Sequence, residues 1–219
     1  MITLQSLNKA EAVRYLGGAG VAPNDAMNAL LDDCEPALLS VIDAKYLYRV
    51  IDLPCGELTQ GQDIKKHLAG CQRAAVLCAT LGAGVDRLLR VSQIADMSRA
   101  VVLNSLAAAA IEQVCDEAER LIAERVSEPY FTFRFSPGYG DYPLDTQKRL
   151  LRLLDAPRKI GLSLNDSLLL TPVKSVTAVI GLSDQPIPRG KRGCAICSLR
   201  ETCAYRRKGT HCGFENTAE

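Results

Sequence analysis

Apolar residues along the chain alternate between helical and strand-like spacing, and turn formers mark the changes. Asn8 caps a short helix running through Leu16, which Gly17-Gly18 ends, and Pro23-Asn24-Asp25 opens a longer one with apolar positions at Met27, Leu30, Leu31, Leu38 and Val41. The stretch Lys45 to Leu53 is rich in aromatic and β-branched residues and stops at Pro54-Cys55-Gly56, which predicts a strand. Gly61 to Leu68 fits a short helix. Arg73 to Leu81 is a nearly continuous apolar run, short enough for a buried strand.

Gly82-Ala83-Gly84 then leads into a helix carrying Val85, Leu88, Leu89 and Val91, and a long alanine-rich helix follows from about Asp96 to Ser127. A strand, a glycine turn and a helix in that order superficially resemble a dinucleotide-binding fingerprint. Arg87 occupies the position of its third glycine, so a simple strand-to-helix turn is the better reading. Beyond Pro129, Tyr130 to Phe135 reads as a short strand running into the turn-rich loop 136–143. Leu144 to Leu154 is an amphipathic helix with Leu150, Leu151 and Leu154 on one side and Lys148, Arg149 and Arg152 toward solvent, and Lys174 to Leu182 is a last strand. The order predicts an α+β fold over residues 1–183, with a mixed or antiparallel sheet packed against long helices. An irregular, cysteine-rich segment, 184–219, follows it.

Composition narrows the function. With 47% hydrophobic and 23% charged residues in 219 the chain is an ordinary core-forming protein, and 26 basic against 25 acidic side chains give no global attraction to nucleic acid or membrane. No signal-peptide pattern and no long apolar run is evident, so the expected location is the cytoplasm, where the nine cysteines are thiols or ligands rather than disulfides. The absence of Trp and 5% aromatics argue against a stacking platform for single-stranded nucleic acid.

The charge that matters is local. Between Arg189 and Lys208 seven basic residues stand against the single acid Glu201, and this stretch holds most of the ladder Cys194, Cys197, Cys203 and Cys212. Four thiols so closely spaced, without an apolar face of their own, point to metal or cluster ligands. Four-cysteine sets hold either zinc or an iron–sulfur cluster, and this spacing matches neither a common zinc ribbon nor the bacterial ferredoxin run. His211 is an alternative ligand to Cys212. Of the other cysteines, Cys78 and Cys115 read as small core residues, and Cys34, Cys55 and Cys71 are scattered without ligand spacing. His67 reads as a helix-surface residue.

A second chemical candidate is Arg134-Phe-Ser-Pro-Gly-Tyr139. It combines a guanidinium fork suited to a carboxylate, a glycine that permits close backbone approach and a phenol. A proline-glycine turn at a strand end is the plain alternative. This hexapeptide, the helix from Leu144, Ile160-Gly-Leu-Ser-Leu-Asn-Asp-Ser167, Pro172 and Ser175-Val-Thr177 resemble, in order, the motifs of the activation domain of cobalamin-dependent methionine synthase. With Arg14-Tyr-Leu-Gly17, Gly82-Ala-Gly-Val-Asp86 and the cysteine ladder included, the chain resembles stand-alone bacterial proteins of that type.

The resemblance implies binding of S-adenosylmethionine and a role in reductive repair of a corrinoid held by a partner methyltransferase. There, inactive cob(II)alamin takes one electron and is trapped by the methyl group of S-adenosylmethionine. It implies that Arg134 holds the ligand's carboxylate, that Ser136, Gly138 and Tyr139 line the ligand, and that Glu112 lies near its ammonium. Where the larger enzymes place His-Pro and aromatics after the last strand, this chain has Leu182-Ser-Asp-Gln-Pro186. Since reactivation needs an electron and zinc cannot carry one, the implied role favours a four-iron four-sulfur cluster in the cysteine ladder, with a flavodoxin or ferredoxin as acidic electron donor. The competing readings are a non-catalytic metal-binding adaptor that binds no S-adenosylmethionine, and a basic zinc protein for nucleic acid, which the near-zero net charge opposes.

Overall fold

A computed structural model describes residues 2–17 and 22–187. The elements in chain order are α1 (Lys9–Tyr15), α2 (Asp25–Leu39), β1 (Lys45–Asp52), α3 (Gln62–His67), β2 (Arg73–Thr80), α4 (Ala83–Ala95) and α5 (Met97–Ala123). They continue with β3 (Tyr130–Phe131), α6 (Thr146–Leu154), α7 (Ala156–Ile160), β4 (Ser163–Leu164), β5 (Leu170–Thr171) and β6 (Ser175–Ser183). The fold is α+β, as expected, and every strand pair is antiparallel. The expected 184–219 segment lies, from residue 188 onward, outside the described residues, and its four cysteines with it. No helix among the described residues is long and apolar enough to cross a membrane.

Side-chain caps start three of the helices. Asn8 Oδ1 accepts the Glu11 N–H at 3.0 Å, Asn24 Oδ1 that of Met27 at 2.9 Å, and Asp96 Oδ1 that of Arg99 at 3.1 Å. The cap at Asp96 is what divides α4 from α5 rather than letting the apolar periodicity run on. Gly82-Ala83-Gly84 is the strand-to-helix turn expected, and a Cβ on Gly84 would come within 2.6 Å of the Val41 carbonyl oxygen.

The main sheet has the order β1-β2-β6-β3 and carries a core on each face. Strand alternation sorts the residues of β2: Ala75, Leu77 and Ala79 join α1, α2, α4 and α5 in one core, whereas Ala74, Val76 and Cys78 meet Ile64, Leu150, Leu151 and Leu154 in the other. Alanines on both sides of the first contact, Ala75 and Ala79 against Ala107 and Ala110, are buried together in that core. The solvent face expected for Lys148, Arg149 and Arg152 is exposed, and Leu150, Leu151 and Leu154 are buried.

One strand departs from its pattern. Tyr130 to Phe135 reads as a regular strand, but the ladder covers only Tyr130 and Phe131, and pairing resumes at a single bridge from Phe135 to Val179. Phe131 is opposite Leu182, so four steps on this strand face three on β6, which inserts a β-bulge. The bulge reverses the facing: Phe131 packs with the α5 core and Phe135 with the α6 core, although an unbroken strand would place both on one side. Within the bulge the Gly181 N–H donates to the Thr132 hydroxyl oxygen at 2.7 Å. Gly181 has no room for a side chain, since a Cβ would lie 2.5 Å from Cys71 Sγ and 3.0 Å from Thr132 Cγ2.

Gly181→Ala should therefore cost about 1–3 kcal/mol of stability through overpacking. Chemical denaturation of the two proteins measures the difference, and an equally stable variant would mean that the bulge tolerates a methyl group.

Candidate functional site

The reversal of facing at the bulge turns Arg134 toward α5. There Glu112, Asp116 and Glu119, at helical spacings of four and three residues, form one stripe beside the buried residues Ile111, Val114, Cys115 and Ala118. Arg134 Nη2 donates to Glu112 Oε2 at 2.7 Å, and Nη1 donates to Asp116 Oδ1 at 2.8 Å and to Glu119. The Arg134 side chain is 19% exposed, against 71% for Asp116. Burial works against the guanidinium charge, but Glu119, Asp116 and Glu112 outweigh it and hold the pKa above its ordinary value. Arg134 is therefore a fixed cation with more carboxylates around it than it can neutralise. The neighbouring Cys115 thiol is pushed up to about 12 by burial, which suits the core role expected of it.

The structure thus brings together Arg134 and Glu112, residues that the sequence separates by 22 positions. Asp116 and Glu119 complete the cluster and were not singled out by sequence reasoning; their spacing from Glu112 along a helix was the available signal. An open groove of about 650 Å³ lies along the neighbouring side of α5, walled by Gln113, Asp116, Arg120 and Leu121 on one side and the segment Ile2 to Ser6 on the other; it shares Asp116 with the cluster, and Arg134, Glu112 and Glu119 do not line it. Gln113 fixes that segment, donating to the Ser6 carbonyl at 3.2 Å and accepting from the Asn8 N–H at 2.9 Å.

Ser136, Gly138 and Tyr139 lie on the loop that follows, outside the groove lining. The Gly138 N–H donates to the Tyr142 carbonyl at 2.8 Å and the Tyr139 N–H to the Ser136 carbonyl at 3.2 Å, closing a compact turn. Gly138 has φ +95°, a conformation that side chains other than glycine's rarely permit. Tyr139 is exposed and meets the Phe135 ring edge-on at 6.1 Å between centroids. Tyr142 is the buried anchor of the loop, its hydroxyl donating to the Leu58 carbonyl at 2.7 Å.

Helix α3 holds this segment at two places. At its start, Asp141 accepts the N–H groups of Gln62 at 2.7 Å and Asp63 at 2.9 Å, while Asp63 Oδ2 accepts the Asp141 N–H at 3.2 Å. At its end, the His67 ring stacks on Phe135 at 4.8 Å and meets Phe133 edge-on at 4.4 Å, with Nε2 2.8 Å from Thr132 Oγ1. The surface reading of His67 is thereby corrected, because the bulge supplies three partners that α3 alone does not reveal. Among the described residues no group of three or more His, Cys, Asp or Glu side chains is placed to hold a metal ion. Of the scattered cysteines, Cys34 joins Cys78 and Cys115 in the buried set.

Against known proteins, the family model for the activation domain of vitamin B12-dependent methionine synthase matches residues 75–186. The chain belongs to that family. The match begins inside β2 and ends after β6, so it contains α5, the bulge, Arg134 and the loop to Tyr142. Among solved structures, the crystal structure of the MetH reactivation domain bound to AdoHcy is similar in fold, with a TM-score of 0.57 at 13% identity over 94% of this chain and 83% of that one. No curated protein gives a match.

Asp141 supplies a pH test of how firmly the activation-domain loop is tied down. Its pKa is held below the ordinary value by the N–H groups of Asp63 and Gln62. A carboxyl depressed in the folded state stabilises the fold above the unfolded pKa of about 3.9, and that stabilisation is lost as pH falls through the lower folded value. Asp141→Asn should therefore be less stable than wild type near neutrality, and the gap should close in acid. Urea melts over a pH series measure this, and a constant gap would show that the carboxylate's charge is not what ties the loop to α3.

Proposed function

We propose that this activation-domain protein binds S-adenosylmethionine at Arg134 and supports reductive remethylation of a corrinoid held by a separate methyltransferase. The observation that carries the reading is the pairing of Arg134 with Glu112 under the bulge. An amino acid carries one carboxylate and one ammonium, and this pair offers one counter-charge to each. Three carboxylates surround a single guanidinium. A ligand carboxylate can displace one of them from Arg134, and the displaced acid then faces the ligand's cationic groups, so the exchange conserves ion pairs. Ser136, Gly138 and Tyr139 contribute the adjoining loop, with Tyr139 exposed and free to close on a ligand. The AdoHcy bound to the related reactivation domain is the demethylated form of the same ligand and supports this choice.

In this reading the ligand supplies a methyl group, becoming S-adenosylhomocysteine, and the partner's corrinoid accepts that methyl together with one electron. The protein's residues bind and orient the ligand; the electrophile and the metal do the chemistry. For the electron, Cys194, Cys197, Cys203 and Cys212 would hold a four-iron four-sulfur cluster, and the basic residues around them suit an acidic flavodoxin or ferredoxin.

Arg134→Ala should weaken S-adenosylmethionine binding by about 2–5 kcal/mol, the cost of leaving a desolvated charge without its counter-ion. Arg134→Lys should recover little, because an ammonium cannot reproduce the planar fork. Calorimetry on folded variants, alone and with the methyltransferase present, is the measurement. No binding by wild type in either setting would overturn the reading and leave the adaptor role.

Protein purified without oxygen should be brown and contain iron and sulfide, both lost in Cys→Ser variants at the four ladder positions. Stoichiometric zinc without sulfide would exclude an electron relay.

A further inference from the structure

One imidazole holds most of the backbone around Arg134. The residues within two positions of it are 132, 133, 135 and 136, and the His67 ring meets three of the four. It stacks on Phe135 at 4.8 Å between centroids, meets Phe133 edge-on at 4.4 Å, and sets Nε2 2.8 Å from Thr132 Oγ1. The bulge makes this possible, because it turns Thr132, Phe133 and Phe135 toward α3 and Arg134 toward α5.

These contacts need two properties in one side chain. Stacking requires a flat ring, and the tether to Thr132 requires a polar atom on the rim of that ring. The Thr132 hydroxyl already accepts the Gly181 N–H at 2.7 Å, and it can meet Nε2 in either sense. It donates to an unprotonated nitrogen, or it accepts from Nε2–H and gives its own hydrogen to the Phe133 carbonyl at 3.2 Å. Phenylalanine would keep the stack and lose the tether, and glutamine would do the reverse. His67 is itself well anchored, since it ends α3, whose Ile64 is buried in the α6 core together with the next residue, Leu68.

The ion pairs to α5 cannot aim Arg134 once a ligand arrives. Glu112, Asp116 and Glu119 hold the guanidinium tip, yet a ligand carboxylate has to displace at least one of them. From then on the direction of the fork is set from its backbone end. A planar match of two parallel hydrogen bonds to a carboxylate depends on that direction.

We propose that His67 is the positioning residue of the carboxylate site: it touches no ligand, and by fixing the backbone on both sides of Arg134 it aims the guanidinium fork at the ligand's carboxylate. This role rests on the binding of S-adenosylmethionine at Arg134 proposed above. It makes His67 a determinant of selectivity, because what is lost with it is recognition of the carboxylate, not of the adenosine or the sulfonium.

Two ligands that differ in that one group separate aim from general integrity: S-adenosylmethionine, and its decarboxylated analogue, which keeps the ammonium, the sulfonium and the adenosine. Calorimetric titration of the full chain, alone or with the methyltransferase where wild type needs it, should show wild type preferring S-adenosylmethionine by about thirtyfold or more. His67→Ala should weaken S-adenosylmethionine by about tenfold, the lower end of what removing the partner behind a ligating side chain costs, and leave the analogue's affinity unchanged. His67→Phe, which restores the stack without the tether, should lie between the two. Circular dichroism and thermal melting establish which variants are folded at the titration temperature. His67→Leu, which fills the space without ring or nitrogen, replaces His67→Ala if that variant is not. Equal weakening of both ligands would make His67 a structural residue and overturn the proposal, as would an undiminished preference in His67→Ala or a His67→Phe no better than His67→Ala. Wild type that binds neither ligand, or both alike, would instead overturn the reading of Arg134 on which the role depends.

Discussion

Both cores depend on the register of one strand. Antiparallel sheets commonly leave a face to solvent, but β2 is buried along nearly its whole length and its alternate residues belong to different cores. A slip of one residue would exchange Ala75, Leu77 and Ala79 for Ala74, Val76 and Cys78 and ruin both packings together. Long ladders to β1 and β6 hold the register, each pairing all eight residues of β2. With that strand fixed, α5 on one side and α6 on the other have defined seats, and the distance from α5 to the edge strand is set. The candidate site is built across that distance.

The bulge is where a regular sheet becomes a site. Continued alternation would leave Arg134 on the same face as Thr132. The inserted residue lets Phe133 and Phe135 meet His67 while Arg134 reaches the acids of α5. The energetic cost is contained by a hydroxyl: Thr132 accepts the Gly181 N–H that the interrupted ladder would have left unpaired. A sequence that places Thr at the bulge and Gly opposite it satisfies the hydrogen bond and the space requirement at once.

Much of this was legible in the sequence because hydrophobic periodicity and caps are local. The buried strand at Arg73, the long alanine-rich helix and the amphipathic helix ending at Leu154 stand close to where their patterns put them. The short pieces were not legible: α7 and the β4–β5 hairpin are five and two residues long and carry no full period. The bulge was invisible because Phe131, Phe133 and Phe135 read as perfect alternation, and only the pairing with β6 shows the extra residue. Arg134 and the loop to Tyr139 were found by residue chemistry and Glu112 by resemblance. Asp116 and Glu119 looked like ordinary solvated helix acids until Arg134 was placed against them. The capping by Asp141 joins residues 78 apart, and nothing local marks it.

The two attachments to α3 have a mechanical meaning. Residues 132–141 leave from one end of that helix, at His67, and return to the other, at Gln62 and Asp63. The segment is strung like a bow, with a rigid stave of six residues, about 9 Å, fixing the span between its ends. Inserting or deleting a residue in α3 would change that span and rotate one attachment by about 100° relative to the other. The loop's curvature would then change without any alteration in its own sequence. Motion of α3 as a body would instead carry both ends of the loop together and preserve its shape. The spacing between Arg134 and Tyr139 is thus governed from a helix that contributes neither residue.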